Sequence, residues 1–64
     1  MDEQFVIEIL QKLRTKELYE FKVTKDQFME FRNILIKQED FKHFRGIAKQ
    51  GGSVVYRYTD EARS

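Results

Sequence analysis

Apolar side chains recur at helical spacing near the start of the chain. Five of them share one face of a helix: Phe5, Val6, Ile9, Leu10 and Leu13. A strand is the alternative, because the stretch is rich in β-branched residues and Phe5, Ile7 and Ile9 alternate. A strand would leave Val6 and Leu10 on the wrong face. The pattern therefore favours a helix over residues 2–13, with a strand as the open alternative.

The period of the pattern changes to two between residues 18 and 23. Tyr19, Phe21 and Val23 fall on one side of an extended chain, whereas Glu20 and Lys22 fall on the other. Alternation of this kind indicates a strand that is buried on one face only.

A second helix is predicted directly after this strand. Thr24 stands at an N-cap position with Gln27 three residues later, which is the spacing of a capping box. The helix is expected to run to about Lys37. Its inward face is formed by Phe28, Phe31, Ile34 and Leu35.

A third helix is predicted over residues 39–50. Glu39 and Asp40 suit its start, because negative charge is favourable at the positive end of the helix dipole. Gly46 costs about 1 kcal/mol inside a helix, and Gly51 and Gly52 end it. Its buried stripe consists of Phe41, Phe44, Ile47 and Ala48.

A second strand follows the glycines, since Val54, Tyr56 and Tyr58 alternate with Val55 and Arg57. Residues 60–64 are predicted to be a frayed polar tail. The order is therefore helix, strand, helix, helix, strand. The expected fold is an α+β domain of residues 1–64, in which helices cover a two-stranded antiparallel sheet.

This order of elements resembles that of winged-helix domains, in which the third helix enters the groove of DNA. The resemblance is one of topology over residues 2–59 and rests on no sequence motif. Only six residues follow Tyr58, so a complete wing hairpin is not expected. The resemblance implies contact with nucleic acid through the third helix.

The charges are distributed unevenly along the chain. Residues 41–59 carry four Lys or Arg and no acid, whereas residues 1–40 carry seven Lys or Arg and nine Asp or Glu. On a helix, Lys42, Arg45 and Lys49 fall within about 60° of arc. Basic side chains at this spacing suit phosphate contacts, and a charged solvent face is the alternative interpretation. The candidate contacts with DNA or RNA are Lys42, His43, Arg45, Lys49, Gln50 and Arg57.

A protein-interaction module is the second functional hypothesis. A two-stranded sheet in 64 residues leaves edges and one face uncovered, which invites strand addition or formation of a homodimer. The candidate contacts are Val55 and Arg57 on the outer sheet face, with Ile7, Met29 or Ile36 where these lie outside the core.

Enzymatic activity and cofactors are not expected. The chain has one histidine and no cysteine, and neither Ser53 nor Ser64 lies in a nucleophile motif. The lack of cysteine also rules out disulfides and Cys-based zinc sites, and it fits a cytoplasmic location. No apolar run approaches the roughly 18 residues needed to cross a bilayer. We therefore expect a small, soluble, non-enzymatic regulatory protein that binds nucleic acid or a protein partner and no membrane.

Overall fold

In the computed structural model, residues 2–61 are described, and they form two α-helices and one three-stranded antiparallel sheet. The elements in chain order are α1 (Glu3–Arg14), β1 (Phe21–Val23), α2 (Phe28–Leu35), β2 (Phe44–Ala48) and β3 (Val54–Tyr58). Short 3₁₀ turns at Phe41–His43 and Gln50–Gly52 precede β2 and β3. The fold is thus α+β, but its order and its sheet differ from those predicted.

Helix α1 confirms the helical alternative for the start of the chain. Its buried side chains are Val6, Ile9, Leu10 and Leu13. Phe5, which the pattern placed on the same face, is 45% exposed. Its ring meets the edge of Phe21 on β1, with the ring centroids 6.2 Å apart. The buried face of α1 therefore begins at Val6, and Phe5 covers the sheet at its margin.

Helix α2 begins later than predicted. The Thr24 hydroxyl donates to the side-chain carbonyl of Gln27 at 3.3 Å, and the Gln27 amide donates to the Thr24 carbonyl at 3.0 Å. These bonds close a turn in place of the expected capping box, so the helix starts only at Phe28. It ends at Leu35, two residues before the predicted end.

The predicted third helix is wrong. Residues 44–48 form β2, which pairs with β3 along its whole length. Gly51 and Gly52, with φ of 83° and 86°, make the connecting turn in a conformation that other residues rarely adopt. A Cβ on Gly46 would lie 3.2 Å from Cε1 of Tyr56 and 3.1 Å from Cγ1 of Val54. Gly46, which was unfavourable for the predicted helix, is therefore the residue that allows β3 side chains to pack over β2.

The sheet has the order β1-β3-β2, so the last strand in the chain is its central strand. Tyr56 of β3 lies opposite Phe21 of β1 on one side and opposite Gly46 of β2 on the other. The predicted two-stranded sheet is wrong for the same reason as the third helix, because β2 supplies the missing strand. The topological resemblance to winged-helix domains is lost with that helix.

The core lies between the helices and the inner face of the sheet. Phe31 of α2 is its centre, since its ring lies 4.9 Å from that of Tyr56 and stacks at 6.0 Å on that of Phe21. Val23, Leu35 and Phe44 are also buried there.

The end of the sequence is only partly described. The predicted tail, residues 60–64, falls partly on residues 62–64, which lie outside the described part. Asp60 is described, and its carboxylate lies 3.6 Å from Nζ of Lys16. Within residues 2–61 no helix has the length and apolar character needed to cross a membrane.

Candidate functional site

Strand β2 forms one edge of the sheet, and part of its backbone faces outward. The Lys49 amide donates to the Ser53 carbonyl at 2.8 Å, and the Thr59 amide donates to the His43 carbonyl at 2.7 Å. Because hydrogen-bonded pairs alternate along an antiparallel ladder, Arg45 and Ile47 also bond to β3. The residues between them must point their backbone groups away from the sheet.

The outward groups are the carbonyl of Phe44 and both the N–H and C=O of Gly46 and Ala48. The amide of Phe44 is excluded because it donates to the Phe41 carbonyl. No other described residue forms a hydrogen bond with these five groups. We call them the free edge of β2.

A groove lies beside the free edge, on the inner face of the sheet. Gly46 and Ala48 point toward this face but are exposed, because neither carries a side chain large enough to reach the helices. The resulting cavity has a volume of about 340 Å³. It is called the β2 groove and is lined by Phe28, Arg32, Leu35, Ile36, Phe41, Phe44, Gly46, Ala48, Val54 and Tyr56.

The outer face of the sheet is basic. Arg45 lies directly opposite Arg57, and Lys22 of β1 lies opposite Val55. Lys49 follows Ile47 by two residues and is extended, so it lies on the same face as Arg45. Like charges directly opposite each other destabilise a sheet unless they are neutralised. This surface therefore favours the approach of negative charge.

Arg57 is already neutralised within the protein. Its Nη2 and Nε atoms donate to Oε1 of Glu20 at 2.8 and 3.1 Å, and its guanidinium lies 4.8 Å from the ring centroid of Tyr19. Arg45, by contrast, forms no ion pair with any residue between 2 and 61. The same holds for Lys22 of β1 and for Lys49 just after β2, so the side of this face next to the β2 edge carries the uncompensated charges of Arg45 and Lys49.

A polar cluster covers the first residue of β2, Phe44, at the end of the strand away from Gly46 and Ala48. Arg14 binds Asp40 through two hydrogen bonds, Nε to Oδ2 at 2.6 Å and Nη2 to Oδ1 at 2.9 Å. The hydrogen bond from Arg14 lowers the pKa of Asp40 despite partial burial. Burial, followed by the negative charge of Asp40, raises the pKa of Tyr58. The Asp40 side chain thus joins α1 to the segment before β2 and caps no α-helix, although Asp40 precedes the 3₁₀ turn Phe41–His43.

The structure separates the six predicted nucleic-acid contacts. Lys42 and His43 lie in the first 3₁₀ turn, and Gln50 lies in the second. Arg45, Lys49 and Arg57 do come together, but on the outer face of a sheet and not on a helix.

His43 is held inside the fold. Since a carbonyl only accepts, its Nδ1 must donate to the Thr59 carbonyl at 2.8 Å. Its ring also stacks on Tyr58 at 5.2 Å, so the side chain is half-buried. Within residues 2–61 no group of three or more His, Asp or Glu side chains is placed to hold a metal ion.

The apolar contacts proposed for a protein partner are better placed. Ile7, Met29 and Ile36 are all exposed, at 40%, 61% and 45%. Ile36 also lines the β2 groove. Val55 is buried even though it lies on the outer face. Sequence reasoning missed Gly46 and Ala48 as site residues, because two small residues at alternate positions after Phe44 give no apolar signal of a strand.

The family of the chain is shown by comparison with known proteins. The family model described as YkzS-like protein matches residues 3–57, and the chain belongs to this family. The match covers α1, β1, α2 and β2 and all but the last residue of β3. No curated protein and no solved structure gives a significant match.

Proposed function

We propose that this member of the YkzS-like family is a small protein-interaction module that takes up an extended segment of a partner as an additional strand beside β2. One observation carries the proposal: the free edge of β2 and the β2 groove lie on the same five-residue strand. Strand addition requires both features, because backbone hydrogen bonds supply affinity and pockets for alternate side chains supply specificity.

The geometry of a sheet explains how the two features act together. Side chains of paired strands lie in register on the same face. An added strand would therefore direct every second side chain to the inner side, next to Gly46 and Ala48. Because these two residues leave the inner side open, such side chains can enter the β2 groove and contact Ile36 and Phe41.

Strand β2 also lacks the usual protection of an edge. Proteins guard their edges with proline, bulges, very short strands or charged side chains. The chain contains no proline, and β2 pairs with β3 without a bulge. The opposite edge strand, β1, is only three residues long. The two charges at this edge, Arg45 on β2 and Lys49 just after it, lie on the outer face and leave the groove side accessible to a neutral or acidic strand.

Nucleic-acid binding is the second candidate function, and the outer face favours it. Lys22, Arg45, Lys49 and Arg57 lie there with one acid, Glu20, against Arg57. Phosphate groups of DNA or RNA could neutralise these cations and release counterions. A net charge of +1 is low for such a binder, and Arg57 is already paired. Strand addition is therefore the function that the geometry supports better.

The test selects peptides from a random display library on the wild-type protein and titrates them into ¹⁵N-labelled protein. We expect the Gly46 and Ala48 amides to become protected from solvent exchange, because an added strand pairs with both. Ile36→Gln should weaken binding by about fivefold, since covering the exposed part of an Ile side chain contributes on the order of 1 kcal/mol.

The control variant is Met29→Gln, which changes an exposed apolar residue of α2 outside the groove and should leave affinity unchanged. Equal losses in both variants, or peptides that protect neither amide, would refute strand addition. Oligonucleotides form the second arm, at about 50 and 200 mM salt. Salt-dependent binding that Lys49→Glu abolishes and Ile36→Gln leaves intact would favour the second candidate.

A further inference from the structure

We infer that the segment added at β2 alternates apolar and acidic side chains, with the apolar ones in the β2 groove and the carboxylates beside Arg45 and Lys49. This inference rests on the proposed strand addition and specifies its ligand. It follows from the different chemistry of the two faces of β2, one apolar and open, the other cationic.

The groove side selects for apolar residues. Its wall on the helix side includes Phe28, Leu35 and Ile36, and Arg32 is the one charged residue that lines it. Gly46 and Ala48 add no bulk on the strand side, so side chains of an added strand can lean across β2 toward α2. A Lys or Arg side chain placed there would lose hydration without a carboxylate partner, since no acid lines the groove. A carboxylate would find Arg32 alone among apolar side chains, whereas an apolar side chain can contact most of the lining.

The outer side selects for carboxylates. Arg45 and Lys49 are both exposed and form no ion pair with any described residue. Side chains of an added strand would lie about 4.5–5.5 Å from those of β2 across the pair. Carboxylates four positions apart on the segment would then meet both cations, and the position between them would lie beside Ile47.

A second copy of the protein fits this surface less well. If two β2 strands paired antiparallel about Gly46, Arg45 and Lys49 of both copies would lie on one face. No acid occurs between residues 41 and 59 to offset these four cations. Like charges on neighbouring strands are unfavourable. The charge pattern therefore favours an acidic partner over self-association.

The experiment compares three capped octapeptides in which Val alternates with Glu, Gln or Lys. Their binding to ¹⁵N-labelled protein is measured at about 50 mM salt, with the exchange protection of the Gly46 and Ala48 amides as readout. We expect the affinity to fall from Glu to Gln to Lys by about three- to tenfold per step. A peptide of the same composition as the Glu peptide, with its Val and Glu residues in two blocks, should not protect these amides.

Charge reversal identifies the residues responsible. Arg45→Glu should invert the order, so that the Lys peptide binds most tightly, and Lys49→Glu provides a second variant should the first fold poorly. Lys12→Glu reverses an exposed cation of α1 and is the matched control, which should keep the original order.

The possible failures are distinguishable. Equal protection by all three peptides, or preference for Lys, would overturn the acidic specificity and leave strand addition intact. Protection of neither amide by any peptide, including those from the display library, would overturn the proposed function as well. If the peptide with its Val and Glu residues in two blocks protected these amides equally, composition without alternation would direct binding, and the inferred alternation would be wrong.

Discussion

The two ends of β2 differ although they lie on the same face of the same strand. Phe44 is 1% exposed, packs edge-on against Tyr58 at 5.0 Å and lies under the guanidinium of Arg14. Gly46 and Ala48, two and four residues further on, are exposed. Both ends pair with β3 in one continuous register, so the difference between the closed end at Phe44 and the open end at Gly46 and Ala48 lies in their side chains. One strand can therefore contribute to the core and also offer a binding surface.

The closed end is also the polar end. The bidentate pair of Arg14 and Asp40 ties the last residue of α1 to the segment before β2. The residues around Gly46 and Ala48 have no comparable link to the helices. Stability should therefore depend on the closed end, whereas changes at the open end should affect binding more than folding.

The largest effect should come from opening the closed end. Phe44→Ala removes a fully buried ring and should lower the free energy of unfolding by about 3–5 kcal/mol. Urea denaturation followed by circular dichroism measures it, with Ala48→Ser as the open-end control, which should change stability by less than about 0.5 kcal/mol. Similar losses in both variants would show that the two ends are not different.

A smaller effect should come from breaking the polar link. Asp40→Asn leaves Arg14 without its carboxylate and should cost about 1 kcal/mol, because the pair is only partly shielded from water. Glu20→Gln breaks the more exposed pair with Arg57 and should cost about half as much. A larger loss for Glu20→Gln would contradict the role given to the closed end.

The cost of Asp40→Asn should depend on pH. The folded state lowers the pKa of Asp40, so its stabilising effect is fully present above the unfolded value of about 4 and is lost as the pH falls through the folded value. The difference in unfolding free energy between wild type and Asp40→Asn should therefore be larger at pH 7 than at pH 3. An equal difference at both would assign the loss to packing.

The smallest effect should come from filling the open end. Ala48→Ile adds a β-branched side chain over the β2 groove and should stabilise the protein by about 0.5 kcal/mol. Ile36 and Phe28 are the surfaces it would meet. Thermal unfolding measures the gain, and a loss of stability would show that the groove cannot accept an aliphatic side chain.

Much of the fold was predictable where apolar residues mark one period clearly. Val6, Leu10 and Leu13 fit a helix and only poorly a strand, and α1 is present as expected. Phe21 and Val23 were correctly assigned to a strand. The alternation of Val54, Tyr56 and Tyr58 likewise located β3.

The third helix was mispredicted because the sequence of β2 does not show the alternation of apolar and polar residues that is typical of a strand. Its inner positions are Phe44, Gly46 and Ala48, so that only one of the three is large and apolar. Phe41, Phe44 and Ile47 recur every three residues, which is the spacing of an apolar helix face. Gly46 was the contrary signal, but its reason is the packing of Tyr56 from β3, which is a tertiary contact and invisible to local pattern.

The candidate site was predictable only in part. The sequence pattern placed Lys42, Arg45 and Lys49 on one side of a helix, whereas the structure places Arg45 and Lys49 on one face of the sheet and Lys42 in a 3₁₀ turn. The free edge and the groove could not be foreseen, because both depend on the pairing of β2 with β3 and on the position of α2. The general expectation of an uncovered sheet edge came from the small size of the chain, without identifying the strand.

The central position of β3 has a consequence for synthesis of the chain. Both other strands find their hydrogen-bonding partner in residues 54–58, which are translated long after β1. Contacts between distant segments form slowly because a long loop must close first. While the ribosome is still adding these residues, β1 and β2 have no ladder to join, and α1 has no sheet to cover. The nascent chain therefore stays open to chaperones and proteases until β3 has emerged and all three strands can assemble at once.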